Sequence, residues 1–311
     1  MKYVFGIDLG GTTVKLGLFT VEGELLDKWE IVTRPENGGE HILPDIAATL
    51  KAKLEEKKIA LEQVAGAGLG VPGAVLEDRY VKPCVNLNGW GGDVAGMLSE
   101  MCGFPVKAVN DANAAALGEM WQGGGKGFDN VVFVTLGTGV GGGIVVGGKL
   151  LSGVHGAGGE IGHIKMNPAE TETCGCGKRG CLEQYASATG IVRMAKKLLE
   201  QCSDESTLRG FETVTAKHIF DCAKEGDLLA LEAVNLFGEM LGRALANVSC
   251  VCDPEVFVIG GGVSAAGQII LDVVQKNFKA NAFPAAEGTR FELATLGNDA
   301  GICGCARLMC D

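Results

Sequence analysis

The sequence predicts an α/β chain of two related lobes facing each other across a cleft, and three observations carry that prediction. Apolar, β-branched runs of strand length alternate with longer segments of helical periodicity. A strand, a glycine-rich turn and a second strand occur twice, as VFGIDLGGTTVKLGLF and as VFVTLGTGVGGGIVV. Placing Asp8 on Thr135 also places Leu9 on Leu136 and Gly10 on Gly137, an internal repeat at a spacing of 127 residues. Finally, 311 residues are enough for two lobes that each bury a core.

Taken in order, VFGIDLGGTTVKLGLFTVEGELL reads as a strand, a glycine turn, a second strand and a hairpin into a third. Residues 44–58 form an amphipathic helix opened by Pro44. Residues 64–69 are a short strand ending in GVPG, and a charged hairpin tip at 77–79 leads to NLNGW. A short helix over 93–101 and a strand over 105–109 run into NDANAAALGE, where the lobe boundary is placed, near residue 112. The second lobe holds the second glycine unit, a cysteine-rich segment and a helix over about 188–201. A polar stretch at 203–213 is expected to be a mobile surface loop. Then come a long core helix over 227–250, the strand and turn VFVIGGGVS and a helix over about 268–278. LGNDAGICGCARL reads as a strand end, a helix start at Asn298–Asp299 and a terminal helix, with that Asn–Asp pair as a cap only.

Composition narrows the partners. Charged residues make up 21% and hydrophobic ones 47%, which is globular, and a net charge of −11 argues against a nucleic-acid backbone as partner. The 49 glycines are about twice the usual share and cluster in loops after apolar runs. MKYVFGIDLG lacks the layout of a signal peptide, so cytoplasm is the expected compartment. Cys102, Cys222 and Cys250, among 12 cysteines, sit in apolar helical patterns and read as reduced core residues. Residues 131–148 are uncharged over the length of a membrane span, but seven are glycine, which suits a tightly turned hairpin in a sheet and not a helix in lipid.

Residues 158–184, GGEIGHIKMNPAETETCGCGKRGCLEQ, carry His163, Cys174, Cys176 and Cys181 within nineteen residues. Three thiolates and an imidazole suit one closed, tetrahedral structural zinc ion per chain, and the intervening glycines let the backbone fold tightly enough to bring the sulfurs together. An iron–sulfur cluster is the lesser alternative, and plain buried cysteines the plainest one.

The GEIGH block, the Cys-x-Cys-Gly-x-x-Gly-Cys run and the following LEQYAS resemble the signature of the ROK family of repressors, open reading frames and kinases. The resemblance extends over essentially the whole chain. It implies the two-lobed actin-like, ribonuclease-H-like ATPase fold. The terminal helix then returns to the first lobe, giving a small lobe of 1–112 plus about 298–311 and a larger one of 113–297. NLNGW and LGNDAGICG look more like the family's glucokinases than its amino-sugar kinases.

Each piece also has its own chemistry. Asp8, Gly10, Gly11 and Thr12 place a carboxylate, glycine amides and a hydroxyl at a strand end, which suits a phosphate and its Mg²⁺. A glycine hairpin turn with a solvated aspartate is the plainer reading. The opposed turn Gly137-Thr138-Gly139 strengthens the phosphate reading, because two loops can clamp one polyphosphate. Lys15 is a further candidate for phosphate, or a solvated strand lysine. Gly260, Gly261 and Gly262 resemble the family's adenosine-contacting turn, although a plain strand–helix turn uses the same residues.

Asn110 and Asp111 precede a helix, where either caps free amides. The helix N-terminus is expected to favour an ionised Asp111, able to accept the proton of an attacking hydroxyl during in-line phosphoryl transfer. In the ROK kinases the matching aspartate is the catalytic base and the preceding asparagine binds sugar. By the same resemblance Glu160 and Glu183 accept from sugar hydroxyls. His163 then uses one ring nitrogen on zinc and the other on the sugar, and Gly73 of GVPG touches the sugar. For Glu183 the alternative is a salt bridge to Lys178 or Arg179.

The implied activity is ATP-dependent phosphorylation of a hexose, foremost glucose to glucose 6-phosphate, by a homodimer or dimer of dimers. N-acetylmannosamine, N-acetylglucosamine and fructose are the rival acceptors. Of the other classes, a sugar-sensing regulator would carry a helix-turn-helix ahead of the DxGGT unit, and a protein-directed ATPase would turn over ATP without sugar.

Overall fold

The computed structural model describes residues 2–310. The first lobe opens with β1 (Tyr3–Leu9), β2 (Thr13–Thr20) and β3 (Leu25–Val32), followed by α1 (Ile42–Lys57) and β4 (Val64–Val71). A small hairpin sheet of β5 (Val75–Leu76), β6 (Tyr80–Cys84) and β7 (Trp90–Asp93) comes next, then α2 (Val94–Cys102), β8 (Val106–Asn110) and α3 (Asp111–Gln122). The order in the main sheet is β3-β2-β1-β4-β8, with β1 antiparallel to β2 and parallel to β4. In the three-residue tip between β5 and β6, Glu77 and Asp78 both take positive φ (54° and 51°), and Arg79 N closes the turn on Leu76 O (3.0 Å).

The second sheet repeats the plan. It is built from β9 (Val131–Leu136), β10 (Val140–Val146) and β11 (Lys149–Leu150), and later β12 and β13. The helices α4 (Glu183–Ala186), α5 (Ala188–Gln201), α6 (Ala216–Lys224) and α7 (Leu228–Cys252) precede β12 (Val256–Gly260). After β12 come α8 (Gln268–Asn281), β13 (Arg290–Leu293) and α9 (Ala300–Arg307). Its order, β11-β10-β9-β12-β13, again pairs the central strand antiparallel on one side and parallel on the other. Asp8 and Thr135 are each the penultimate residue of a central strand, so the internal repeat is structural. Residues 131–148 are the β9–β10 hairpin and its turn, and no described helix is long and apolar enough to cross a membrane.

Burial explains the elements. β9 and β12 lie between helices and read as nearly continuous apolar runs, as parallel central strands do. The larger core joins Val132, Val134, Phe257 and Ile259 to Phe220, Phe237, Leu241 and Phe278 from α6, α7 and α8. The first-lobe core packs Phe5, Ile7, Leu16 and Leu69 against Ile46 and Leu50 of α1 and Leu98 of α2.

α9 is made of small residues, and glycines seat it backbone against backbone. An added Cβ would stand 1.8 Å from the Ile302 carbonyl oxygen at Gly6 and 1.9 Å from that of Cys305 at Gly68. At Gly304 it would stand 1.6 Å from the Ala114 carbonyl oxygen. Gly304→Ala is therefore expected to cost about 1–3 kcal/mol or more, read as a lower denaturant midpoint at unchanged slope.

Three sequence expectations are corrected here. The 203–213 stretch is tied down: the Asp227 carboxylate accepts from Ser206 Oγ (2.9 Å) and Thr207 N, and Arg209 donates to the carbonyls of Leu199, Cys202 and Asp204. Cys102 and Cys222 are buried, but Cys250 is exposed beside exposed Val251, because both lie on the outward face of the last turn of α7. Asp299 does not cap α9 with its side chain. A short turn at Gly297–Asp299 precedes the helix, and the carboxylate pairs with Lys28 Nζ at 2.7 Å.

Candidate active site

The C-terminal ends of the two central strands, with the N-terminus of α3, frame a cavity of about 500 Å³. Asp8, Lys15, Asp111, Thr135, Gly261, Gly262 and Glu119 line it, and Gly297 to Gly301 contribute a wall. Asp8 and Lys15 are cross-strand partners in the β1–β2 register, so their side chains share a face. A second cavity of about 550 Å³ begins at Gly262 and is lined by Gly137, Thr138, Ala188, Lys217, Phe220 and Ala266. It is more apolar in character and receives the second glycine turn. The two cavities meet at Gly262.

The glycine turns hold themselves first. Gly10 N donates to Thr13 O (3.0 Å), and its counterpart Gly137 N donates to Gly139 O (3.0 Å), one residue short of the matching position. Those two amides are thus used within the turns, and exposed Gly11, Thr12 and Thr138 stand at the rim. In the third turn, Gly260 is packed in the core, where a Cβ would meet Ala294 and Phe133 at 2.9 Å. Gly261 takes φ +81° against the Leu136 backbone, and only Gly262 opens onto free space.

α3 is capped by Asn110, whose Oδ1 accepts from Ala112 N (3.0 Å) and Asn113 N (3.2 Å). Its Nδ2 donates to Gly73 O (3.3 Å), which brings together two residues expected at the sugar. Asp111 Oδ1 accepts from Ala112 N at 2.8 Å. Water reaches the Asp111 carboxylate, but dense protein walls surround it. Their desolvation outweighs the backbone and Asn110 hydrogen bonds and raises its pKa above the ordinary aspartate value. The helix N-terminal amides do favour the ionised form, as the sequence expects, but desolvation is the larger effect and sets the net direction. Asp8 is also raised, by burial first and then by the Asp111 charge, with Lys15 opposing.

The ligand atoms of His163, Cys174, Cys176 and Cys181 all lie within 4.8 Å of one another. Donors around a tetrahedral ion with metal–sulfur bonds of about 2.3 Å stand roughly 3.8 Å apart, so this set fits one cation. His163 Nδ1 faces Cys174 Sγ at 4.0 Å, and its Nε2 points the other way, 3.9 Å from Glu160 Oε2. The loop closes because Cys174 N donates to Lys178 O (2.7 Å) and because Gly180, at φ +75°, abuts the Asn167 carbonyl.

Glu183 does not form the alternative salt bridge. Its Oε2 accepts from Val140 N (3.1 Å) and its Oε1 from Cys174 Sγ (3.4 Å), with no ion pair to Lys178 or Arg179 among the described residues. A side chain at Gly139 would displace it, since a Cβ there would sit 2.0 Å from Oε2. Glu183 thus links the cysteine segment to the second glycine turn. The expected sugar residues fall in two halves, Gly73, Asn110 and Asp111 in one and Glu160, His163 and Glu183 in the other, and the hydrogen bonds just described stay within each half.

Sequence reasoning missed several residues. Glu170 carries a carboxylate held at about 2: burial opposes its charge, but Tyr185 and Arg193 hydrogen bonds overcome that. This network braces the cysteine segment against α4 and α5. Glu119 carries no local motif, but Asp111, Ala115 and Glu119 recur every fourth residue along the cavity face of α3.

Comparison with known proteins agrees with this architecture. A glucokinase of Halalkalibacterium halodurans is 42% identical over 97% of this chain and 93% of that protein. A glucokinase of Thermotoga maritima is 37% identical over 98% and 96%. The crystal structure of a ROK family glucokinase from Streptomyces griseus in complex with glucose and AMPPNP covers 98% of each chain, with a TM-score of 0.75 at 34% identity. The ROK family sequence model matches residues 4–311, and the chain belongs to the ROK family.

Proposed function

We propose that this protein is an ATP-dependent glucokinase, making glucose 6-phosphate, with Asp111 as the general base. The observation that carries the reading is the single cavity in which Asp111, Asp8, Lys15 and the Gly261–Gly262 turn converge. Its relatives named glucokinase and the glucose and AMPPNP complex of its structural neighbour support the acceptor and the donor.

The phosphates lie between the Asp8–Thr12 and Gly137–Gly139 turns, with Lys15 opposite their charge and the adenosine in the second cavity beside Gly262. Mg²⁺, bound with the nucleotide, would be held by Asp8 and would offset charge on the phosphates. Asp111, ionised, accepts the proton of the attacking sugar hydroxyl in line with the transferred phosphoryl group. Asn110 and Gly73 hold the sugar from the first lobe, Glu160, His163 and Glu183 from the second, and closure of the cleft brings the halves together. His163, Cys174, Cys176 and Cys181 would hold a structural zinc, whose coordination would fix the imidazole plane. The lobes part near residue 112, and the last helix returns to the first lobe.

The test is ADP release from Mg·ATP across glucose, mannose, fructose, N-acetylmannosamine and N-acetylglucosamine, with a sugar-free blank. Glucose is expected to give the highest kcat/KM. Preference for an amino sugar would overturn the acceptor, and sugar-independent turnover would overturn the kinase reading.

A further inference from the structure

Glu119 is fully buried on α3, two turns beyond Asp111 on the cavity-facing side. A carboxylate without water is costly unless its lone pairs are filled, and here they are. Oε2 accepts from Gly124 N (2.8 Å) and Thr295 N (3.0 Å), and Oε1 accepts from Leu296 N (2.9 Å). These amides belong to two separate stretches: the chain just after α3, and the link from β13 to α9.

The second stretch matters for the cavity. Thr295 and Leu296 lead directly into Gly297, Asn298, Ala300 and Gly301, the cavity wall flanking Asp8. Gly301 lies so close that an added Cβ would meet the Asp8 carboxylate at 2.8 Å. The carboxylate also has no room to spare, since a Cβ on Gly123 would lie 1.9 Å from Oε2.

We infer that Glu119 is a positioning residue for the nucleotide: by holding the Thr295–Leu296 amides it fixes the Gly297–Gly301 wall in register with Asp8 and Asp111. This rests on reading the cavity as the nucleotide site. A neutral glutamine cannot reproduce the arrangement, because one of its two ends would turn an N–H₂ toward a backbone N–H. The wall then shifts on the nucleotide side only, since the sugar residues Asn110 and Gly73 are held by separate bonds.

The test compares wild type, Glu119→Gln and Glu119→Asp by calorimetric binding of Mg·ADP and of glucose, with steady-state kinetics and circular dichroism. Glu119→Gln is expected to raise the Kd for Mg·ADP and the KM for ATP by roughly ten- to a hundredfold, with glucose affinity within about twofold of wild type. Glu119→Asp, which keeps the charge, is expected to lie between the two, and it carries the test if the glutamine variant fails to fold. Equal loss of nucleotide and glucose binding, or no loss of either, in the folded variant would overturn the inference. Failure of the wild-type protein itself to bind Mg·ADP would instead overturn the nucleotide reading beneath it.

Discussion

Asp111→Asn is expected to lower kcat by roughly 10²–10⁴-fold while leaving the KM values for glucose and ATP close to wild type. Asparagine keeps the acceptor that receives the Ala112 amide, so the geometry at the head of α3 survives and only the proton acceptor is lost. The same substitution makes a prediction about stability with a definite sign. Folding raises the pKa of Asp111, chiefly by desolvation, and that of Asp8, by desolvation and by the neighbouring Asp111 charge. A raised carboxylate costs nothing when protonated in both folded and unfolded chains. It destabilises progressively as pH rises from the unfolded pKa of about 4 to the folded one, and fully above that. The ligand-free variant should therefore melt above wild type near neutral pH, and the two should converge as the buffer approaches the ordinary carboxylate pKa. A variant that is inactive and melts lower at neutral pH would show that Asp111 is a structural cap. For wild type, kcat/KM should fall with acid at a pH above the ordinary aspartate range, because the base must be ionised.

The second large effect concerns the cysteine segment. Wild type is expected to carry one zinc per chain, and Cys176→Ser to carry less, with KM for glucose raised about 10–100-fold. His163 belongs to both the four-donor set and the proposed sugar half-site, so loss of the ion frees the imidazole that faces Glu160. The nucleotide side should suffer less. Glu183 does connect Cys174 to Val140, but the Gly137–Gly139 turn is also held by Ala188 N on Gly137 O (2.8 Å) and Thr189 Oγ1 on Thr138 O (2.8 Å). Retention of a full zinc equivalent with unchanged glucose affinity in Cys176→Ser would defeat the coupling.

What was legible in the sequence follows from how local each signal is. The repeat was visible because a strand, a Leu-Gly pair and a second strand leave a mark within a dozen residues, and both sheets follow it. The His163, Cys174, Cys176 and Cys181 cluster was visible for the same reason: its spacing is short and its chemistry narrow. Glu119 was not, because its partners Thr295 and Leu296 lie more than 170 residues away and are backbone amides that any sequence supplies. The net direction of the Asp111 pKa shift was not legible for a related reason. A helix N-terminus is written locally, whereas the desolvating walls come from the whole cleft. Cys250 was placed in the core because an apolar helix end looks alike on both faces.

The seating of α9 has a consequence for how the chain is made. Val4 and Phe19 of the first hairpin pack on Ile302, Cys303 and Ala306, so these strands are covered by a helix that is synthesised nearly three hundred residues later. At roughly 5–20 residues per second, that apolar face waits for tens of seconds before its partner exists. During synthesis the first hairpin is a half-clad sheet, its apolar face uncovered until α9 emerges.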